Sequence, residues 1–381
     1  MTSKSNSDQQ KKVTSLHELA MLFLKLGCIG FGGPAVHIAM MEEEVVRKRS
    51  WMSHEHFLDL VSATNLIPGP NSTEMTMHIG HERAGWKGLV VAGSCFIVPA
   101  VLITACFAWA YQRYGQLPNV LPFIYGIKPA IISVVLVTMI ALGRKALKSA
   151  QLGVIGVLAA AAVLMGINEI FVLFGVGLIG ILLYWMKGNR LHGIFPFFFL
   201  QTAHPLLEAN WPRVFVIFLK IGAILYGSGY VLFAFLDAEL VNRGWLSKQE
   251  LIDAIAVGQF TPGPVFSSAT FIGWQIGGAD AAIAATIGIF LPSFLFVALL
   301  NPIIPRLRSS KIMSVFLDTI NIAAVAIILS ILVEMGRETL LDWRTILIAA
   351  LSFIATFYFK KINTAFIIIG GAALGYLLWL L

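Results

Sequence analysis

The sequence predicts an all-α polytopic membrane protein built from two homologous halves, with helices broken or re-entrant at Gly/Pro motifs. Three observations carry that expectation. The first is composition: of 381 residues, 58% are hydrophobic and only 12% are charged, with a mean hydropathy of +0.82. A soluble domain carries roughly a quarter of its residues as charges, so the solvent here is the bilayer. The second is repetition. Phe23-Leu24-Lys25-Leu26-Gly27 returns as Phe218-Leu219-Lys220-Ile221-Gly222, and Lys220 follows Lys25 by 195 positions. Trp51-Met52-Ser53, Asp59 and Pro68-Gly69-Pro70 return 194 positions later as Trp245-Leu246-Ser247, Asp253 and Pro262-Gly263-Pro264. A repeat of that length in an apolar chain is typical of transporters made of two equivalent halves. The third is loop charge. Arg83 and Lys87, then Arg144, Lys145 and Lys148, then Lys187 and Arg190 mark one set of loops in the first half. In the second half the basic loops, with Arg306, Arg308 and Lys311 and then Lys360 and Lys361, are displaced by one crossing. Positive-inside logic therefore predicts halves inverted relative to one another.

Residues 1–15 are polar and read as a disordered tail, and 16–190 as the first repeat. A cleavable signal peptide is not expected, because the first apolar run carries the repeated motif. A bilayer core takes ~20 apolar residues per helix. Clean spans fall at 86–111, 123–143, 151–166 and 169–187, after two less regular segments at 16–41 and 56–80. Residues 191–210 form a linker whose apolar stretch, 194–207, would supply the extra crossing that inversion needs. The second repeat, 211–381, opens with less regular segments at 211–237 and 250–276. Its clean spans fall at 280–301, 312–335, 343–358 and 363–381. Cys28, Cys95 and Cys106 lie in apolar runs without metal-ligand spacing and read as packing residues.

The Gly/Pro motifs carry the functional expectation. Gly30-Phe31-Gly32-Gly33-Pro34 must unwind its helix, since proline lacks an N–H and glycine has no helix preference. Its copy keeps Gly227 and Gly229. In hydrocarbon, unwound backbone is tolerated only against protein or a watery cavity. Asn65-Leu66-Ile67-Pro68-Gly69-Pro70-Asn71 and Gln259-Phe260-Thr261-Pro262-Gly263-Pro264 cannot sit mid-helix, but proline suits a helix start. Such starts present free N–H groups and a positive dipole end, the chemistry of an anion site. Thr261 is placed to cap the new helix. Lys25 and Lys220 lie halfway along apolar segments, where a lysine is costly unless it pairs, snorkels or meets an anion; matched placement favours the site. Asp59 and Asp253 are candidates to pair with those lysines or to couple protons, with helix capping and an interface role as equal alternatives. Glu74, His78 and His81 share one helical face, with Ser268, Ile272 and Gln275 at the matching places of the second half. They read as a solvated helix end or a proton relay ahead of a metal site. Glu44 matches Glu239 and Lys48 matches Arg243, as charges that could gate an aqueous mouth. No hydrolase, nucleotide-binding or dinucleotide motif occurs, so no catalysis and no cofactor is expected, and transport would draw on an ion gradient. The basic balance, net +7, is read as loop anchoring rather than nucleic-acid binding.

Phe31-Gly32-Gly33-Pro34 after a helix bearing Lys25, Trp51, Asn65-Leu66-Ile67-Pro68-Gly69-Pro70 and the second copy at Tyr226-Gly227 and Gln259 to Pro264 together resemble the chromate ion transporter family over nearly the whole chain. The resemblance implies a multi-pass protein of a bacterial inner membrane. Such a protein would export chromate, a tetrahedral dianion, at the expense of a proton or ion gradient. Sulfate has the same shape and charge, and a homodimer is compatible with the chain. In the substrate cradle so expected, Gly32, Gly33, Pro68, Gly69 and Pro70 face Gly227, Gly229, Pro262, Gly263 and Pro264. Asn65, Asn71, Gln259 and Thr261 would donate hydrogen bonds, and Lys25 and Lys220 charge. Asp59, Glu74, His78 and Asp253 are the proton-coupling candidates. An anion channel, an uptake carrier and an intramembrane enzyme are the competing classes.

Overall fold

The computed structural model describes residues 14–115, 117–188, 210–226, 229, 231–300, 310–359 and 362–380. The expected linker crossing, the N-terminal tail up to residue 13, Gly227, and the loops with Arg306, Arg308, Lys360 and Lys361 lie outside them. Among the described residues, seven helices of the first half are matched by seven of the second. α1 (Leu16–Ile29), α2 (Pro34–Glu42), α3 (His54–Thr64), α4 (Asn71–Tyr114), α5 (Leu121–Ala146), α6 (Ala150–Leu164) and α7 (Glu169–Gly188) form the first set. α8 (Trp211–Ile224), α9 (Val231–Leu236), α10 (Lys248–Phe260), α11 (Ser268–Leu300), α12 (Lys311–Thr339), α13 (Trp343–Tyr358) and α14 (Thr364–Trp379) form the second. Both α2 and α9 run on into a widened helical turn, Glu43–Lys48 and Asp237–Val241.

Local chemistry starts these helices where the repeats put them. Ser53 opens α3 by accepting from the His56 N–H, and its repeat Ser247 opens α10 with a reciprocal Ser-Glu box to Glu250. α4, α5, α7, α11 and α12 are long and apolar enough to cross a membrane, and α6, α13 and α14 are shorter apolar helices. Leu102, Trp109, Val157, Ile283 and Leu299 stand exposed on them, which is the expected finish for a lipid-facing surface. Cys28 and Cys106 are also exposed, which departs from the packing expectation, whereas Cys95 is half-buried and packs against the core around Phe23 and Phe96.

The less regular segments differ from the sequence expectation in one respect. The stretch 56–80 is two helices, and its second joins the following span. At Ala84-Gly85 the backbone leaves the helix, with Gly85 at φ 61°, and at Gly277-Gly278 it does so again, with Gly278 at φ 68°. α4 and α11 are therefore hairpins with a short arm and a long arm. Gly80 and Gly88 lie face to face across the bend, where a Cβ on either would collide with the other's carbonyl. In a straight helix, residues eight apart are ~12 Å distant, so the chain reverses here.

Glycine contacts then join the helices. α1 packs on the long arm of α4 where a Cβ on Gly27 would lie 2.6 Å from the Phe96 carbonyl oxygen. Gly222 on α8 meets Ile289 of α11 in the same way. The outer helices are exchanged between the halves. α5 packs against α13 and α14, whereas its repeat α12 packs against α6 and α7. On the α5 side the contact is Gly126 against Gly371 and Gly375, a small-xxx-small seam that lets backbones touch.

Candidate functional site

The interrupted helices interlock at the junction of the two halves. α1 stops at Ile29 and α2 restarts at Pro34; between them Gly32 and Gly33 hold φ 110° and 79°. α8 stops at Ile224, and Gly229 lies in the corresponding turn before α9. An interrupted helix frees carbonyls that hydrocarbon cannot satisfy. The Gly263 N–H donates to the Gly30 carbonyl at 2.8 Å, and the Gly69 N–H donates to the Leu225 carbonyl at 2.9 Å. Leu225 repeats Gly30 and Gly69 repeats Gly263, so one bond is made twice, each from the Pro-Gly-Pro turn of one half to the broken helix of the other. The glycines are required. Gly69 and Gly263 hold φ 138° and 91°, and a Cβ on Gly263 would lie 2.8 Å from that of Ala100.

His37, which the sequence reading passed over, also serves this break. It is buried, its Nε2 donates to the Gly30 carbonyl at 2.8 Å, and its Nδ1 lies 3.2 Å from the Ser72 hydroxyl. Leu232 occupies its place in the second half, so repetition could not point to it.

Polar groups collect beside the turns. Ser72, Thr73 and Glu74 form the first turn of α4, all fully buried, and Ser267 and Ser268 stand at the matching start of α11. A Cβ on Gly69 would collide with Glu74 Oε1 and with the Ser293 hydroxyl of α11, so both flank that turn. Among the described residues, neither Glu74 oxygen has a hydrogen-bond partner of good geometry, nor do the Thr73, Ser268 and Ser293 hydroxyls or His78 Nε2. Buried polar atoms are rarely left so, and their gathering beside these turns makes this the candidate site. Glu74 and His78 are buried rather than at a solvated helix end, while His81 sits edge-on to Trp86 at 6.1 Å. Among the described residues no three His, Cys, Asp or Glu side chains gather as a metal site.

The remaining expected residues are placed differently. Asn71 Nδ2 donates to Asn65 Oδ1 at 2.6 Å, and Asn65 Nδ2 to the Val61 carbonyl at 2.9 Å, so the asparagines close the end of α3. Thr261 does not cap the helix ahead. Its hydroxyl donates back to the Val257 carbonyl at 2.7 Å and ends α10. Pro68, Pro70, Pro262 and Pro264 are buried in the turns, and Gln259 is half-buried at the end of α10.

The matched lysines pair with the widened turns rather than with Asp59 and Asp253. Lys25 Nζ is 3.2 Å from Glu44, and Lys220 Nζ is 2.5 Å from Glu239. Glu44 also holds Lys48 at 3.3 Å and Arg49; Glu239 holds Arg243 at 2.7 Å. The extra residue of the widened turn brings these chains onto one carboxylate. Burial alone would raise the Glu44 pKa, but Arg49, Lys25 and Lys48 draw it down to about 2. This clamp therefore stays ionised at neutral pH. Asp59 is exposed on α3. Asp253 is buried and meets Lys128 of α5 and Tyr111 of α4. Lys128 escaped the sequence reading, although a lysine inside an apolar span was the signal to follow.

A helical chain of two matched halves, with apolar spans and broken helices interlocked at their junction, defines a multi-pass membrane protein of the duplicated transporter class. The chain belongs to the chromate transporter family, whose pattern matches residues 17–181 and again residues 212–376. It is 30% identical to a probable chromate transport protein of Synechococcus elongatus, over 96% of each chain. It is 26% identical to a chromate transport protein of Cupriavidus metallidurans, over 98% of this chain and 96% of that protein. A chromate transport protein of Pseudomonas aeruginosa is 27% identical over 96% and 93%. No solved structure matches the chain.

Proposed function

We propose that this protein is a secondary transporter that exports chromate or a related tetrahedral oxyanion across the inner membrane, driven by a proton or ion gradient, and that its halves are inverted repeats. The reciprocal bonds from Gly69 to Leu225 and from Gly263 to Gly30 carry this reading. Each joins a turn N–H, just ahead of a helix start in one half, to the other half. Rocking one half against the other therefore withdraws the carbonyl and leaves the N–H to an anion. Two such bonds, related by the repeat, fit two alternately open faces. Gly32, Gly33 and Gly229 lie in the helix breaks themselves, and Lys25 and Lys220, with side chains 56% and 45% exposed, remain accessible to an approaching anion.

Glu74 adds control. An ionised carboxylate at the junction repels a dianion, so its charge state decides whether the cradle admits substrate. Labelled chromate flux into everted vesicles, with the pH gradient imposed or collapsed and sulfate as competitor, tests the reading. Gradient-dependent, saturable accumulation that falls in Lys25→Ala is expected. Non-saturating flux indifferent to the gradient would make the protein an anion channel, and no flux of either anion would remove the oxyanion.

A further inference from the structure

Lys128 is the cation that the cradle does not use. It lies in an apolar span, is 9% exposed, and its Nζ is 3.2 Å from Oδ1 of Asp253, itself 4% exposed. The other carboxylate oxygen, Oδ2, accepts from the Tyr111 hydroxyl at 2.6 Å. One carboxylate of the second half is thus gripped, edge-on, by two donors of the first. Repetition did not create this grip. Gly143-Arg144 returns 193 positions later as Gly336-Arg337, as Pro99 returns as Pro292. At that offset Lys128 falls on the uncharged, exposed Asn321, and Asp253 repeats the exposed Asp59. A buried ion pair is a poor source of stability, since desolvation offsets most of the attraction and an apolar replacement often does better. An intramembrane ion pair that symmetry does not require points to substrate or ion traffic.

We propose that Lys128 binds the transported oxyanion, and that Asp253 is the internal anion that takes its place when no substrate is bound. This rests on the oxyanion reading above. A tetrahedral oxyanion offers an edge of two oxygens, as a carboxylate does, so Nζ and the Tyr111 hydroxyl suit either occupant. Nζ and the Tyr111 hydroxyl together fit one two-oxygen edge, and a dianion beside a buried carboxylate is repelled by it, so substrate displaces Asp253 and loosens α10 from α4 and α5. The position is joined to the junction through one helix. Along α4, Ala100 faces Gly263, the Thr104 hydroxyl is 3.3 Å from Ser267, and Tyr111 reaches Asp253. The 11 steps from Ala100 to Tyr111 span ~16 Å of helix.

The test is equilibrium binding of labelled chromate, and separately of labelled sulfate, to the purified full-length protein. Lys128→Gln alone strands a buried carboxylate, so the Lys128→Gln/Asp253→Asn double variant is the main arm. It is expected to fold and to bind at least about tenfold more weakly than wild type, a change of about 1.4 kcal/mol. Asp253→Asn alone frees Lys128 and is expected to bind about tenfold more tightly. Wild-type binding by the double variant overturns the inference while leaving the oxyanion reading intact. So does Asp253→Asn weakening binding as much as the double variant, because the pair would then be a strut. If wild type binds neither anion, both readings fall together.

Discussion

Gly263→Ala isolates the physics of the interlock. Gly263 sits at φ 91°, and its added Cβ would lie 2.8 Å from Ala100 Cβ. The left-handed backbone costs an L-residue about 1–2 kcal/mol. The close contact adds the cost of overpacking, about 1–3 kcal/mol, because α4 must give way. The sum, about 2–5 kcal/mol, is a large part of the 5–15 kcal/mol that typically holds a folded protein, on the order of a third. Gly244→Ala is the control. Its φ is 70° but no heavy atom lies within 4 Å of the added Cβ, so only the backbone cost applies. Removing the opposing methyl closes the cycle. Ala100→Gly costs about 1 kcal/mol as a helical glycine. Combined with Gly263→Ala it should recover the contact cost, so that the double variant is about 1–3 kcal/mol more stable than the two single effects predict. Thermal unfolding of the detergent-purified protein reads all four variants, with chromate flux measured alongside. Equal losses in Gly263→Ala and Gly244→Ala, with strict additivity in the double variant, would refute the claim that this turn is wedged against the other half.

Lys220→Ala should lower the unfolding temperature more than Lys25→Ala, because Glu239 keeps only Arg243 whereas Glu44 keeps Lys48 and Arg49; equal shifts would count against the clamp. Both should insert normally and carry less oxyanion, read by flux. Glu44 has a folded pKa of about 2, below its unfolded value near 4.5, so the stability it adds is present above that value and lost as pH falls towards 2. The stability gap between wild type and Glu44→Gln, measured by unfolding from pH 7 downward, should therefore close in acid; a constant gap would show that the carboxylate is not held by charge. Gly375→Val would set its Cβ 2.6 Å from Gly126 N and 2.8 Å from the Pro122 carbonyl oxygen, so α14 should part from α5, seen as earlier unfolding and faster proteolysis at the C-terminal end.

Composition and repetition were enough to read a two-part helical membrane protein, because lipid leaves backbone few choices and a duplicated motif repeats whatever local structure it encodes. They also marked the breaks at Gly30 and Gly69, since Pro and Gly dictate backbone locally. The bend at Ala84-Gly85 was legible as the charged loop with Arg83 and Lys87 between the segments 56–80 and 86–111, and its copy falls between 250–276 and 280–301. What those segments did not show is how closely the two arms fold back on one another, as Gly80 and Gly88 do. What the sequence could not decide is which half satisfies which. Nothing near Gly69 names Leu225 as its acceptor, and nothing near Asp253 names Lys128 as its cation. Matched spacing instead suggested Lys25 with Asp59 and Lys220 with Asp253. The widened turns after α2 and α9 direct the two lysines to Glu44 and Glu239. The exchange of α5 and α12 between the halves then brings Lys128 to Asp253. Local propensity determined where the helices start, stop and break. The pairing of one half with the other depends on contacts more than a hundred residues apart, and only the packed tertiary structure decides those.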